Sequence, residues 1–166
     1  MVSHRPAWGN LPADMPGGHM VQQGTDADAA ATDDDRSVEL RVAATLENLA
    51  VLRVLIAAAA TFEDLDFDAV SDLRLAVDEA CTRLVKAAIP HSPLVVSVQP
   101  REDAVVITAS ATCSSDEDAI VAPGSFSWHV LSSLTDEVNT FSDGQHGDGG
   151  QIFGISLTAR RASLLQ

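Results

Sequence analysis

The stretch Leu94–Ala111 reads LVVSVQPREDAVVITASA. Two runs rich in Val, Ile and Thr, Leu94–Gln99 and Ala104–Ala111, flank the turn-forming group Pro100, Arg101, Glu102 and Asp103. β-Branched residues pack well on a pleated surface, and Pro and Asp punctuate rather than continue a ladder, so the pattern predicts a hairpin. Antiparallel pairing at the centre of the chain is the anchor for everything on either side.

Upstream, Val38–Val42 alternates apolar and polar residues as a half-buried strand does. Thr45 is the expected N-cap of a helix over Leu46–Ala60, with Leu46, Leu49, Leu52, Ile56 and Ala59 on its inward stripe. The acidic run Glu63–Asp68 reads as a turn, with Asp68 capping a longer helix that reaches about Ala88. That helix is expected to bury Val70, Leu73, Val77, Ala80, Leu84 and Ala88, and Pro90 and Pro93 end it. Downstream, Cys113–Pro123 reads as loop, Ser125–Leu134 as a third helix and Val138–Phe141 as a strand. The Gly-rich Asp143–Gly150 turns into a last strand, Ile152–Ala159. The order predicts an α+β two-layer sandwich, with helices on one face of a mixed, mainly antiparallel sheet.

Charge narrows the function classes. Ten Lys and Arg stand against twenty-four Asp and Glu among 166 residues, a net charge of −14. Such a surface repels phosphate backbones and has no basic cluster to overcome the repulsion, which excludes direct nucleic-acid binding and favours a basic protein partner. The composition changes near residue 36. Residues 1–36 form an acidic tail, expected to be disordered, ahead of a folded unit over 37–162. Up to residue 35 the tail holds Asp14, Asp26, Asp28, Asp33, Asp34 and Asp35 against Arg5, which leaves −9 on the remainder. No run approaches the ~20 apolar residues of a membrane span. No secretory signal precedes the fold, so the cytosol is the expected address. Cys81 and Cys113 read as buried thiols rather than a disulfide framework, and the histidines have no metal-ligand spacing.

The chemistry-bearing segment is Leu73–Val85, LRLAVDEACTRLV. Glu79 and Arg83 lie four apart, hence on one face of the helix. Taken alone, the pair also reads as an ordinary solvated ion pair. Three further stretches accompany it in order: ENLAVLR at Glu47–Arg53, PGSFSWHVLSSLTDEV at Pro123–Val138, and the closing strand with Phe153-Gly154-Ile155 and Leu157–Arg161.

Together these stretches resemble the anti-sigma factors of the Bergerat-fold (GHKL) ATPase superfamily, those of the sigma-F type most of all. The resemblance covers about Ser37 to Arg161. It implies a protein that sequesters an alternative, stress-type (sigma-F-like) RNA polymerase sigma factor, is released by an anti-anti-sigma factor, and forms a homodimer. Many members are also serine/threonine kinases that use ATP and Mg²⁺ to phosphorylate the antagonist, which is the alternative activity here. On that pattern Glu79 is the catalytic glutamate of the kinase reading, and Glu79, Arg83, Gly124, Ser125 and Ser127 occupy nucleotide-binding positions.

Three departures bear on the kinase reading. Arg83 stands where the Mg²⁺-binding asparagine belongs, and a guanidinium is a donor only. Ala111-Thr112-Cys113 replaces the adenine-reading Asp-x-Gly. Ser125 and Ser127 replace glycines whose backbone would approach the phosphates. One expectation from the pattern is a pocket closed by Glu79 and Arg83; another is that Arg83 supplies the charge Mg²⁺ normally brings. Partner binding, by the same resemblance, falls to Glu47 and Arg53, which otherwise read as helix-surface charges. Trp128 reads as core packing or a lid anchor.

Overall fold

The computed structural model describes residues 36–114, 120–145 and 150–162. The tail over 1–35, residues 115–119 of the expected loop and 146–149 of the Gly-rich turn lie outside the described residues.

The hairpin forms in the expected register. Strand β2 (Pro93–Pro100) pairs with β3 (Ala104–Cys113) so that Leu94 faces Ala111, Val96 faces Ala109 and Val98 faces Ile107. The Arg101 amide donates to the Ala104 carbonyl at 2.8 Å and closes the turn. Strand β1 (Val38–Ala43) pairs on the far side of β2, and β5 (Gln151–Arg160) on the far side of β3. Strand β4 (Glu137–Gln145) then forms the other edge, giving the order β1-β2-β3-β5-β4. Every pairing among the described residues is antiparallel, so the expected mixed sheet is corrected. β1 reaches its neighbour β2 through the two long helices, β2–β3 and β4–β5 pair as consecutive strands, and the long β3–β4 connection leaves room for β5 between its two strands.

One face of the sheet is apolar in continuous rows. Leu94–Ala111–Phe153, Val96–Ala109–Ile155 and Val98–Ile107–Leu157 run across the three central strands and are buried. Helices α1 (Leu49–Phe62) and α2 (Phe67–Ala87) lie in the second layer, joined by α3 (Phe126–Leu134), which packs on α2. Helix α2 buries Leu73, Ala76, Val77, Ala80, Cys81 and Leu84; Val70 and Ala88, expected inside, are half-buried. On the outer face the partly exposed ring of Phe141 lies across Gly154 and occupies the space a side chain there would take. No helix among the described residues is long and apolar enough to cross a membrane.

Helix boundaries are where expectation and structure part. Thr45 starts a single 3₁₀ turn, Leu46–Asn48, with no side-chain cap bond, and the α-helix begins only at Leu49. At three residues per turn, the 3₁₀ segment rotates Leu46 off the 3.6-residue stripe; it is 52% exposed, while Leu49, Leu52, Ile56 and Ala60 are buried. Ala59 is only half-buried. Asp66, not Asp68, caps α2, accepting from the Ala69 amide at 2.8 Å; Asp68 sits within the first turn, where its charge complements the helix dipole. Before it, α1 ends in a Schellman arrangement. Leu65 donates to the Ala60 carbonyl, Asp64 donates to that of Thr61, and Asp64 sits at φ 57°, where glycine is usual.

The acidic turn is therefore not all solvated: Leu65 and Glu63 are buried, Glu63 at 5% exposure. Its carboxylate accepts from Arg161 Nη2 at 2.7 Å and from Arg36, and its carbonyl accepts from Arg161 Nε at 2.8 Å. Arg161 Nη1 also donates to the carbonyls of Arg101 and Glu102. One guanidinium thus ties the end of α1 to the β2–β3 turn and to the last strand. Replacing Arg161 by Ala strips a buried carboxylate of its main counter-ion and is expected to cost about 3 kcal/mol. Urea denaturation checks this through a lower midpoint at unchanged slope, with Arg161→Lys, which keeps charge but not the fork, recovering only part of the loss.

Candidate functional site

Helix α2 carries the centre of the site, because its sides away from the sheet meet different neighbours. Toward α3, Ser127 and Leu131 lie four residues apart and both are buried. Their shared face sets Ser127 against α2, and Ser127 Oγ donates to Glu79 Oε1 at 2.7 Å. Arg83, one turn along α2, donates from Nε to the same oxygen at 2.8 Å. Glu79, Arg83 and Ser127, all expected at the nucleotide positions, are thus brought into one hydrogen-bonded group.

The other two expected residues do different things. Ser125 is the N-cap of α3 and accepts from the Trp128 amide at 3.2 Å, so its hydroxyl holds the helix start. Gly124 adopts φ 84°, a turn conformation that suits glycine, and an added Cβ there would meet nothing within 4 Å. Trp128 is half-buried against the core, as one of its two expected roles has it.

The electrostatics follow from this grouping. Burial, the largest single effect on Glu79, raises its pKa, but the bonds from Ser127 and Arg83 and the charges of Arg83 and Lys86 outweigh it. The net result is a carboxylate held below its ordinary range, hence ionised and a poorer base than a free glutamate. The donor set does not fit Mg²⁺: the carboxylate is already matched by a guanidinium, and Arg83 brings no lone pair. Among the described residues no group of three or more His, Cys, Asp or Glu is placed to hold a metal ion. Cys81 and Cys113 are both buried, and burial pushes their thiols up to about 12 and about 11. They are inert on that account.

The two residues expected to face a partner, Glu47 and Arg53, lie in the 3₁₀ turn and on α1, the other helix that packs on α2. Arg53 on α1 donates from Nε to Asp78 Oδ1 at 2.7 Å, and that bond, then the charge of Asp78, holds the guanidinium still more firmly protonated. Glu47 sits exposed in the 3₁₀ turn, its pKa lowered by its own backbone amide and then by Thr45. The structure does not bond Glu47 to Arg53; each is fixed by its own neighbours. Between α1 and α2 opens a cleft of about 370 Å³ lined by Arg53, Ser71, Arg74, Leu75 and Asp78. Sequence reasoning missed Asp78 and Arg74, although Ser71, Arg74, Leu75 and Asp78 recur at the i, i+3, i+4, i+7 spacing of a single helix face. A face with both charges and an exposed leucine reads as solvated until α1 is seen beside it.

Residues 42–152 match the model of the histidine kinase-like ATPase domain. The chain belongs to the histidine kinase-like ATPase domain family. Within that family it is 63% identical over 129 residues to proteins named anti-sigma-F factor RsbW from two strains of Mycobacterium tuberculosis, CDC 1551 / Oshkosh and H37Rv. The match covers 77% of this chain and 76% of each relative. The α+β sandwich with helices on one sheet face agrees with that membership.

Ser127→Ala tests the grouping around Glu79. Loss of a hydrogen bond to a charged group is expected to cost about 1 kcal/mol at neutral pH, at the low end because Glu79 is partly exposed. A carboxylate with a depressed pKa stabilises the fold above its unfolded value of 4.5, and that contribution fades as pH falls through the lowered value. The gap between parent and variant should therefore be constant above about pH 6 and close in acid, as read by denaturation at several pH values.

Proposed function

We propose that this chain is an anti-sigma factor: it binds and sequesters a stress-type, sigma-F-like RNA polymerase sigma factor, gives it up to an anti-anti-sigma factor, and so represses transcription as a homodimer. The observation that carries this reading is the 63% identity over 129 residues to proteins named anti-sigma-F factor. Charge supports it. A body at −9 speeds encounter with a basic DNA-binding subunit and competes with promoter DNA for it, more so at low salt.

Arg53 is the proposed anchor. Asp78 fixes its guanidinium through Nε, so the Nη donors are presented to a partner carboxylate with less rotamer entropy left to lose. Glu47 adds an exposed anion at the start of the same helix. The kinase alternative is not favoured: phosphoryl transfer depends on positioned charges, and the carboxylate it would use is already engaged by Arg83 and Ser127. For ATP, we propose that Arg83 makes any affinity independent of metal, without efficient transfer.

Titrating the purified protein with candidate sigma factors, with and without nucleotide, is the direct test, and failure to bind any of them overturns the reading. Arg53→Glu is expected to weaken both sigma and antagonist binding at least tenfold while leaving the domain folded, with at most the small loss of the exposed Arg53–Asp78 pair. Unchanged affinity for both removes Arg53 from the interface. In parallel, ATP affinity is expected to be the same in EDTA and in Mg²⁺, with no phosphate transferred to the antagonist. A strong Mg²⁺ dependence refutes the role given to Arg83.

A further inference from the structure

The sheet ends in two edges of different character. Strand β4 carries Glu137 and Asp143 with no basic residue, and its pairing shifts register between Asp143 and Gln145. A bulge, and charge that a second copy cannot match, both keep an edge from pairing with itself. Strand β1 has neither device. Its residues, VELRVA, run without proline or irregularity along β2, and among the described residues no strand pairs on the far side. The unpaired amides and carbonyls of such an edge are a template for another strand.

The sequence of β1 selects what that strand is. Val38, Leu40 and Val42 alternate with Glu39 and Arg41, so the pattern reads the same from either end except that the charge changes sign. Leu40 lies opposite Val96 in the buried layer, which puts Glu39 and Arg41 on the face away from the helices. Both are exposed, with no hydrogen bond or ion pair among the described residues. Antiparallel self-pairing must set outward residues against outward ones. Of the registers that do so about the strand centre, those placing Glu39 on Glu39 or Arg41 on Arg41 oppose like charges. Leu40 on Leu40 instead sets Glu39 against Arg41 of the second copy, and the symmetry makes that pair twice.

Helix α1 suits the same occupant. Arg53 is its one charged residue and is engaged by Asp78 on α2. Val51, Leu55, Ala58 and Phe62 recur at helical spacing on another side, with Phe62 79% exposed. Leu55, Ala58 and Phe62 line an apolar groove of about 390 Å³ together with Val38 of β1. A helix apolar on all sides is ordinarily covered on all sides. A two-fold axis perpendicular to the sheet at Leu40 leaves both helix layers on one side, so the apolar α1 sides of the two copies face each other across it.

We propose that β1 pairs antiparallel with β1 of a second copy, with Leu40 on the two-fold axis, making one sheet continuous across both copies. This assigns a surface to the homodimer of the proposed function and rests on that reading only for the existence of a dimer. Glu39 and Arg41 fix the register, and their mirrored signs match a copy of the same strand.

Sedimentation of the full-length protein over a range of concentrations tests the contact. The parent is expected to sediment as a dimer. Glu39→Arg and Arg41→Glu each oppose like charges at two symmetric positions and are expected to raise the dimer dissociation constant at least about tenfold. Their circular dichroism should be unchanged, since both side chains are exposed. The double variant E39R/R41E restores opposite charges and is expected to return to within about threefold of the parent. An equimolar mixture of the two single variants restores them as well and should sediment as a dimer. Single variants that dimerise as tightly as the parent, or a double variant that stays monomeric, overturn the interface and leave the homodimer to another surface. A parent that is monomeric throughout removes homodimer and interface together and leaves the sigma titration to judge sequestration. Single variants that lose sigma affinity with dimerisation unchanged assign the edge to the sigma factor and also overturn the proposal.

Discussion

Helix α2 is held against the sheet by an apolar stripe, Leu73, Ala76, Val77, Ala80, Cys81 and Leu84, over the buried rows of β2, β3 and β5. Burial of that stripe is the largest favourable contribution the helix makes, at roughly 25 cal/mol per Å² of apolar surface removed from water. It also fixes the helix in rotation. Once the stripe faces the sheet, Glu79 and Arg83 must turn toward α3, and Arg74 and Asp78 must turn toward α1. Neither site chooses its own orientation; both inherit it from the core.

Two carboxylates show how this fold treats charge it has taken partly or wholly out of water. Glu63 is almost fully buried and is matched by Arg161 and Arg36. Glu79 is less buried and is matched by Arg83 and a serine hydroxyl. In both cases an ion that is costly to desolvate is given a counter-ion and further hydrogen bonds, which is what makes its burial tolerable. The outcomes differ in kind. Glu63 joins three parts of the chain that are distant in sequence, while Glu79 becomes an ionised, charge-paired group at the position the kinase reading gives to the catalytic glutamate. Asp78 and Glu79 are adjacent, so the α1–α2 cleft and the Glu79–Arg83–Ser127 group are separated by a single peptide bond.

Much of the fold was legible because its signals are local or periodic. The runs around Pro100–Asp103 specify a hairpin, and the repeats along α2 specify one buried face. What was not legible depended on geometry that periodicity does not encode. Leu46 belongs to the apolar stripe by spacing, but a 3₁₀ turn moves it into water. Asp66 and Asp68 are equally good caps on paper, and the Schellman ending of α1 decides between them. The buried role of Glu63 needed Arg161, ninety-eight residues away. At the site, Glu79 with Arg83 is a visible i, i+4 pair, yet only the seating of α3 on α2 reveals that Ser127 completes it. Asp78 stood in plain view beside Glu79, but nothing in one helix announces a partner on another.

The ring of Phe141 lying in the place of a side chain at Gly154 has an evolutionary corollary. The two positions share one volume across neighbouring strands, so selection acts on their sum rather than on either alone. A lineage that acquires a bulkier residue at 154 must trim 141 or expose its ring, and one that trims 141 first opens a gap a larger residue can fill. A bulkier residue at 154 therefore drives an already 40% exposed ring further into water at the sheet edge.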